Sequence, residues 1–85
     1  MTKGEYRVGY KFNPSNSSMV EEIKFRAADL IDLIETIPNR IADQHGGETD
    51  DVRAAERGRL KALAQTAVEE AAMWAVKAAT KGPME

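Results

Sequence analysis

Residues 18–37, Ser-Met-Val-Glu-Glu-Ile-Lys-Phe-Arg-Ala-Ala-Asp-Leu-Ile-Asp-Leu-Ile-Glu-Thr-Ile, decide the fold. Val20, Ile23, Ala27, Leu30, Ile34 and Ile37, with Ile41 beyond, follow one another at alternating steps of three and four, the seam spacing of helices packed side by side. Ser18 and Glu21 stand three apart in the pattern of a capping box, which places the helix start there. Pro38 cannot continue the hydrogen-bond ladder, so the helix is expected to end near Ile37, with a further turn resuming toward residue 43 in the register of Ile41.

Outward from this seam, residues 50–80 hold ten alanines and read as a second, longer helix. Asp50 and Asp51 sit where the positive end of the helix dipole favours carboxylates, and Lys81-Gly82-Pro83 forms a basic last turn with a stop. Residues 44–49, with Gly46-Gly47, read as the connecting loop. So short a connection folds the two helices back on each other as an antiparallel hairpin. Residues 1–17 read differently: Tyr6, Val8, Tyr10 and Phe12 alternate with Arg7, Gly9 and Lys11, a period-two pattern that predicts an extended arm or short strand, broken by Asn13-Pro14-Ser15-Asn16. The expected fold is therefore all-α, one domain made of an extended N-terminal arm and a two-helix hairpin.

A single hairpin does not cover the apolar surface. At about 100° per residue the first helix carries a stripe roughly 120° wide, which one partner buries, whereas the arc of the second, from Leu63 and Trp74 round to Ala72 and Val76, is roughly 220° wide. The chain has 85 residues and no cysteine, so neither a large core nor a disulfide offsets the loss of chain entropy. Homo-oligomerisation is the remaining way to bury those faces.

Charge is segregated beneath a net −2: residues 1–26 sum to +2, residues 29–51 to −6 and residues 53–61 to +3. The acidic middle repels an extended phosphate backbone, so a long nucleic acid is not expected, while a small anion suits a local basic pocket. No stretch is apolar enough to span a bilayer and the N-terminus lacks a signal-peptide layout, which leads us to expect no membrane partner and a reducing, cytoplasmic setting.

Catalysis is not signalled. Glu69 and Glu70 are adjacent and point about 100° apart on a helix, the glycines match no phosphate loop, and His45 stands in the loop without a second ligand. No enzyme activity, metal or cofactor is expected. The binding ingredients are the arm aromatics Tyr10 and Phe12, the arm cations Arg7 and Lys11, and Lys24 and Arg26 on opposite borders of the first apolar stripe, with Arg59 and Lys61 on the second helix. The plainer alternative is that the aromatics anchor the arm on the hairpin and the cations snorkel from interface rims.

Glu69-Glu70-Ala71-Ala72-Met73-Trp74-Ala75-Val76-Lys77-Ala78, preceded by Thr66, resembles the second-helix signature of the phage anti-CBASS protein two family, whose helical-hairpin domain is shared with Thoeris anti-defence protein one. Tyr10-Lys11-Phe12-Asn13-Pro14 and Ile23-Lys24-Phe25-Arg26-Ala27-Ala28-Asp29-Leu30 resemble the same family's arm and first helix, so the likeness covers residues 6–80. The resemblance implies a non-enzymatic sponge, a homohexamer acting in the host bacterial cytoplasm that sequesters the cyclic oligonucleotides of CBASS immunity. It implies cyclic dinucleotides such as cGAMP held between protomers, with Lys24 on phosphate and Tyr10 or Phe12 against a base. A separate three-fold site for cyclic trinucleotides would use Arg26 with Arg59 or Lys61. The alternative class is a hairpin oligomerisation module without a nucleotide ligand.

Overall fold

A computed structural model describes residues 1–40 and 48–84. It holds three helices, α1 (Lys3–Val8), α2 (Ser18–Glu35) and α3 (Glu48–Ala79), and no strand among the described residues. The architecture is all-helical, with α2 and α3 forming a hairpin and α1 laid along it. Residues near the start of α2 meet the end of α3, with Val20 and Thr80 lining one cavity. Farther along, the Gln65 amide donates to the Ile31 carbonyl at 3.1 Å and the Asn39 side chain lies beside Gly58, so the two helices run antiparallel.

The start of α2 is set one residue earlier than the Ser18–Glu21 box predicts. The hydroxyl of Ser17 accepts from the Val20 amide at 3.3 Å and is the N-cap. The cause lies in the preceding turn: the Asn13 side chain accepts from the Ser17 amide at 3.2 Å and donates to the Ser17 carbonyl at 2.8 Å, which holds Ser17 in the extended geometry a cap needs. At the other end the Thr36 hydroxyl donates to the Leu33 carbonyl and α2 stops at Glu35, short of Ile37. The further turn toward residue 43, Ile41 and His45 lie outside the described residues. Glu48 and Thr49, expected in the loop, already belong to α3.

The arm departs most from expectation. Residues Lys3–Val8 are helical, not extended, because Thr2 and Glu5 form a full capping box: the Glu5 amide donates to Thr2 Oγ1 at 3.0 Å and the Thr2 amide to Glu5 Oε1 at 2.8 Å. Gly9 ends the helix in the left-handed region at φ 62°, returning its N–H to the Tyr6 carbonyl. A helix of six residues does not hold in water by itself. Docking holds this one: Gly4 is buried against the backbone of Ala28, where an added Cβ would collide with the Ala28 carbonyl, and its amide donates to Asp32 Oδ1 at 2.7 Å. Tyr6 remains 78% exposed, so the alternating residues of the arm do not share one covered face.

The predicted seam is also rotated. The buried line of α2 is Val20, Lys24, Ala28 and Ile31, while Leu30 and Ile37 of the predicted seam stay 45% exposed. On a helical wheel the two lines are roughly 80° apart. The rotation arises because α2 packs between two helices, α1 over Ala28 and Asp32 and α3 over Ile31. On α3 the buried side chains are Ala54, Gln65 and Ala72, and the opposite side leaves Leu60, Leu63 and Trp74 half or more exposed. The surplus apolar surface expected from the alanine-rich helix is thus present on the single chain.

Gly4→Ala is expected to undock α1 at a cost of about 1–3 kcal/mol while leaving α2 and α3 paired. Limited tryptic digestion, read as faster cleavage after Arg7 and Lys11 with an unchanged α2–α3 fragment, checks it.

Candidate functional site

The arm returns from Gly9 to Ser17 across the side of the hairpin and closes over Lys24. This lysine is 7% exposed, and its ammonium donates to the Gly9 carbonyl at 2.9 Å and to the Phe12 carbonyl. A buried ammonium without acceptors is costly, and two carbonyls of the arm turn supply what water would have given. The same Nζ lies 5.5 Å from the centre of the Phe12 ring, a cation–π contact. Phe12 itself is 73% exposed, its outer face open. Tyr10 is placed differently: half-buried, it packs on Phe25 with ring centres 5.9 Å apart, and the Lys11 ammonium lies 5.9 Å from its centre.

Two cavities meet at Lys24. One of about 250 Å³ lies between α1 and α3, with Arg7, Glu69, Met73 and Val76 in its wall. The other, about 230 Å³, runs under the turn of Phe12, Asn13 and Pro14 to Val76 and Thr80. Arg7 Nε donates to Glu69 Oε1 at 2.7 Å and Nη2 to Thr66 Oγ1 at 3.2 Å, joining α1 to α3 at the rim of the first cavity. At the other end of α1, the Lys3 ammonium donates to Glu35 Oε1 at 2.8 Å and to Gln65 Oε1 at 3.3 Å, while the Gln65 amide donates to Glu35 at 2.9 Å. The Lys3 and Gln65 hydrogen bonds hold the Glu35 carboxyl down at about 2, from an ordinary 4.5, with the Lys3 charge adding to them.

The other expected cations are not brought to Lys24. Arg26 is bound to Glu22 at 3.0 Å, one turn back on α2, and Arg59 to Glu56 at 2.7 Å on α3. The latter pair holds the Glu56 carboxyl low and the Arg59 guanidinium high. Lys61 faces another groove of about 310 Å³, beside Arg57 and the apolar walls Ile34, Ile37, Leu60 and Ala64. Neither Arg57 nor Lys61 has an ion-pair partner among the described residues. Arg26 and Arg59 are therefore each neutralised locally, and Lys61 alone of the three keeps an unpaired charge.

A family model described as the Acb2/Tad1 hairpin domain matches residues 4–80. The chain belongs to the Acb2/Tad1 hairpin family. No curated protein and no solved structure matches it. As an Acb2/Tad1 hairpin domain the chain fits a role in phage anti-defence, with cyclic-nucleotide binding and self-assembly as general properties of that family. Among the described residues no helix is long and apolar enough to cross a membrane and no group of side chains could hold a metal ion.

Sequence reasoning missed what ties the hairpin domain's arm down. Gln65 is 2% exposed in the middle of the α3 core line, and its place between Ala72 and Val76 on the helical wheel, inside the apolar arc, was the available signal for it. The Arg7–Glu69 pair spans 62 positions of sequence and had no local signal.

Because the folded Glu35 carboxyl titrates at about 2 and the unfolded one at its ordinary 4.5, its stabilisation of the arm is complete above 4.5 and is lost as pH falls from 4.5 toward 2. Acid titration followed by amide exchange at Gly4 and Glu5 should show this loss, and Glu35→Gln should reduce it while lowering protection at neutral pH, the part carried by the Asp32 carboxylate on Gly4 remaining.

Proposed function

We propose that this protein sequesters cyclic oligonucleotide second messengers without chemically altering them, so that the immune effector they would activate stays silent. The observation that carries the reading is the exposed Phe12 ring lying over the buried ammonium of Lys24, with cavities on both sides. A stacked base needs an aromatic face held still and open to solvent, and Phe12 offers one, whereas Tyr10 is spent on Phe25. Lys24 would reach a ligand phosphate with the hydrogen not given to the carbonyls of Gly9 and Phe12, or by exchanging one of those carbonyls for it.

Assembly belongs to the same reading. Leu63 and Trp74 on α3, with Leu60 in the groove beside Ile34 and Ile37, leave too large an apolar patch for a chain with so few buried apolar residues among those described. Several copies meeting on these faces, a hexamer by family resemblance, would bury them and turn the one-sided crevice at Phe12 into a pocket between protomers. A cyclic dinucleotide has two bases and two phosphates, so two symmetric copies could each supply one aromatic and one cation. A second, cyclic-trinucleotide site would draw on Arg26 with Arg59 or Lys61; the exposed pairs of Arg26 with Glu22 and Arg59 with Glu56 would exchange for phosphate, and Lys61 has no ion pair to break. The setting is the cytoplasm of an infected bacterium.

One observation favours the other class, an oligomerisation module with no nucleotide ligand: the ammonium of Lys24 already has two backbone acceptors. Calorimetry against a panel of cyclic di- and trinucleotides separates the two. Sequestration requires heat with at least one of them and recovery of the intact ligand after denaturing the complex. Silence across the panel selects the assembly module, and linear products on chromatography would show a hydrolase instead. Phe12→Ala should weaken cyclic dinucleotide binding by about 1–3 kcal/mol with the particle mass unchanged by light scattering. Phe12 is the cleaner probe because Lys24→Ala also removes the anchor of the arm.

A further inference from the structure

The turn that carries Phe12 is bracketed by two anchors. Lys24 grips it from α2 through the carbonyls of Gly9 and Phe12. Two residues before Gly9, Arg7 grips α3. Lys3 and Gly4 hold the first turn of α1, to Glu35, Gln65 and Asp32, and they leave the tie between its last turn and α3 to Arg7. Among the described residues, Arg7 is the sole α1 side chain beyond Gly4 that bonds another helix.

The Arg7 contact is built to fix direction as well as distance. Its planar guanidinium uses Nε on Glu69 and Nη2 on Thr66, residues one turn apart on α3, so the fork cannot rotate without breaking one of the bonds. It is also the most covered of the ion pairs among the described residues, its side chains 22% and 35% exposed. Solvent screens it less than it screens the pairs at Glu22 and Glu56. Charge argues against Arg7 as the ligand's own anion site: with Glu69 at 2.7 Å, a phosphate would meet a neutralised pair.

We propose that Arg7 and Glu69 are positioning residues: their ion pair sets the lie of the Gly9–Phe12 turn, and through it the orientation of the Phe12 ring and the Lys24 ammonium, without touching the ligand. The ligand half of this inference rests on the sequestration reading. The half that concerns the turn does not. Glu69 opens the Glu-Glu-Ala-Ala-Met-Trp stretch of α3, and this gives that acidic residue a structural task beside the Gln65 knot one turn earlier.

The full-length protein and its Arg7→Gln, Glu69→Gln and doubly exchanged Arg7→Glu/Glu69→Arg variants test it, each followed by amide exchange and by calorimetry with cyclic GMP–AMP. The reporters are the Tyr10 and Phe12 amides, which donate to the Glu5 and Gly9 carbonyls, and the reference is the Ile31 amide within α2. Each single variant is expected to speed exchange at Tyr10 and Phe12 by about tenfold with Ile31 unchanged, and to weaken ligand binding by a similar factor. The exchanged pair should recover both. Unchanged exchange at Tyr10 and Phe12 in the single variants overturns the positioning role whatever the titration gives. Faster exchange at Ile31 in step with the arm overturns it too, because the pair then serves general stability. If the exchanged pair restores the arm amides but not affinity, Arg7 is a direct phosphate ligand and the inference falls. A wild-type protein that gives no heat with any cyclic nucleotide removes the sequestration reading alone, and the exchange data still decide the turn.

Discussion

The ammonium of Lys24 is the point on which the rest of the structure turns. A charged nitrogen enclosed between a helix and the segment crossing it must find acceptors, and the nearest available are backbone carbonyls of that segment. Supplying them requires the arm to bend sharply between Gly9 and Phe12, and the left-handed Gly9 makes the bend without a Cβ penalty. The bend in turn lays α1 along the hairpin, where Gly4 is the residue small enough to lie on the Ala28 backbone. One buried cation thus couples the position of the arm to the first helix, and a ligand phosphate drawn to that cation would compete with the arm for it.

The hairpin itself is thinly cored. Among the described residues Val20, Ala28, Ile31, Ala54 and Ala72 are the buried apolar ones, and three of the five are alanine. Alanine lets helices approach closely but removes little area from water, so the burial that stabilises larger domains is small here. Polar knots compensate in part: Gln65 bridges Ile31, Glu35 and Lys3, and each of its contacts joins a different helix or end of a helix. The remaining apolar area, on α3 and along the Leu30–Ile37 edge of α2, faces outward. A member of the Acb2/Tad1 hairpin family with such a surface has the physical means to assemble, and exposed Met73 of α3 also lines the crevice at Arg7 and Lys24.

How the charges are distributed separates roles that look alike in the sequence. Arg26 and Arg59 are paired within their own helices, at spacings of four and three residues, and act as ordinary surface pairs of small energetic weight. Arg7 is paired across the fold and Lys24 is spent on the backbone. Lys61 keeps its charge beside an apolar groove. Five basic side chains that composition treats as equivalent therefore divide into surface pairs, an arm clamp, an arm anchor and one unpaired cation, according to which acceptor folding places within reach.

The sequence by itself determined the two long helices, because periodicity, propensity and capping signals act within a few residues and alanine-rich stretches have few alternatives. It also determined that a single hairpin would leave apolar surface uncovered, since the width of an apolar arc is a property of one helix, and it offered the aromatic arm and Lys24 as binding candidates. Tertiary structure decided what those residues face. The arm alternates in sequence like a strand, yet a capping box at Thr2 and docking on Ala28 make it helical, because packing overrides a four-residue pattern. The seam of α2 is rotated because two helices rather than one lie on it. The clamp of Arg7 on Glu69, the rest of Tyr10 on Phe25 and the outward turn of Phe12 all depend on segments meeting across long stretches of chain, and such meetings leave no periodic trace.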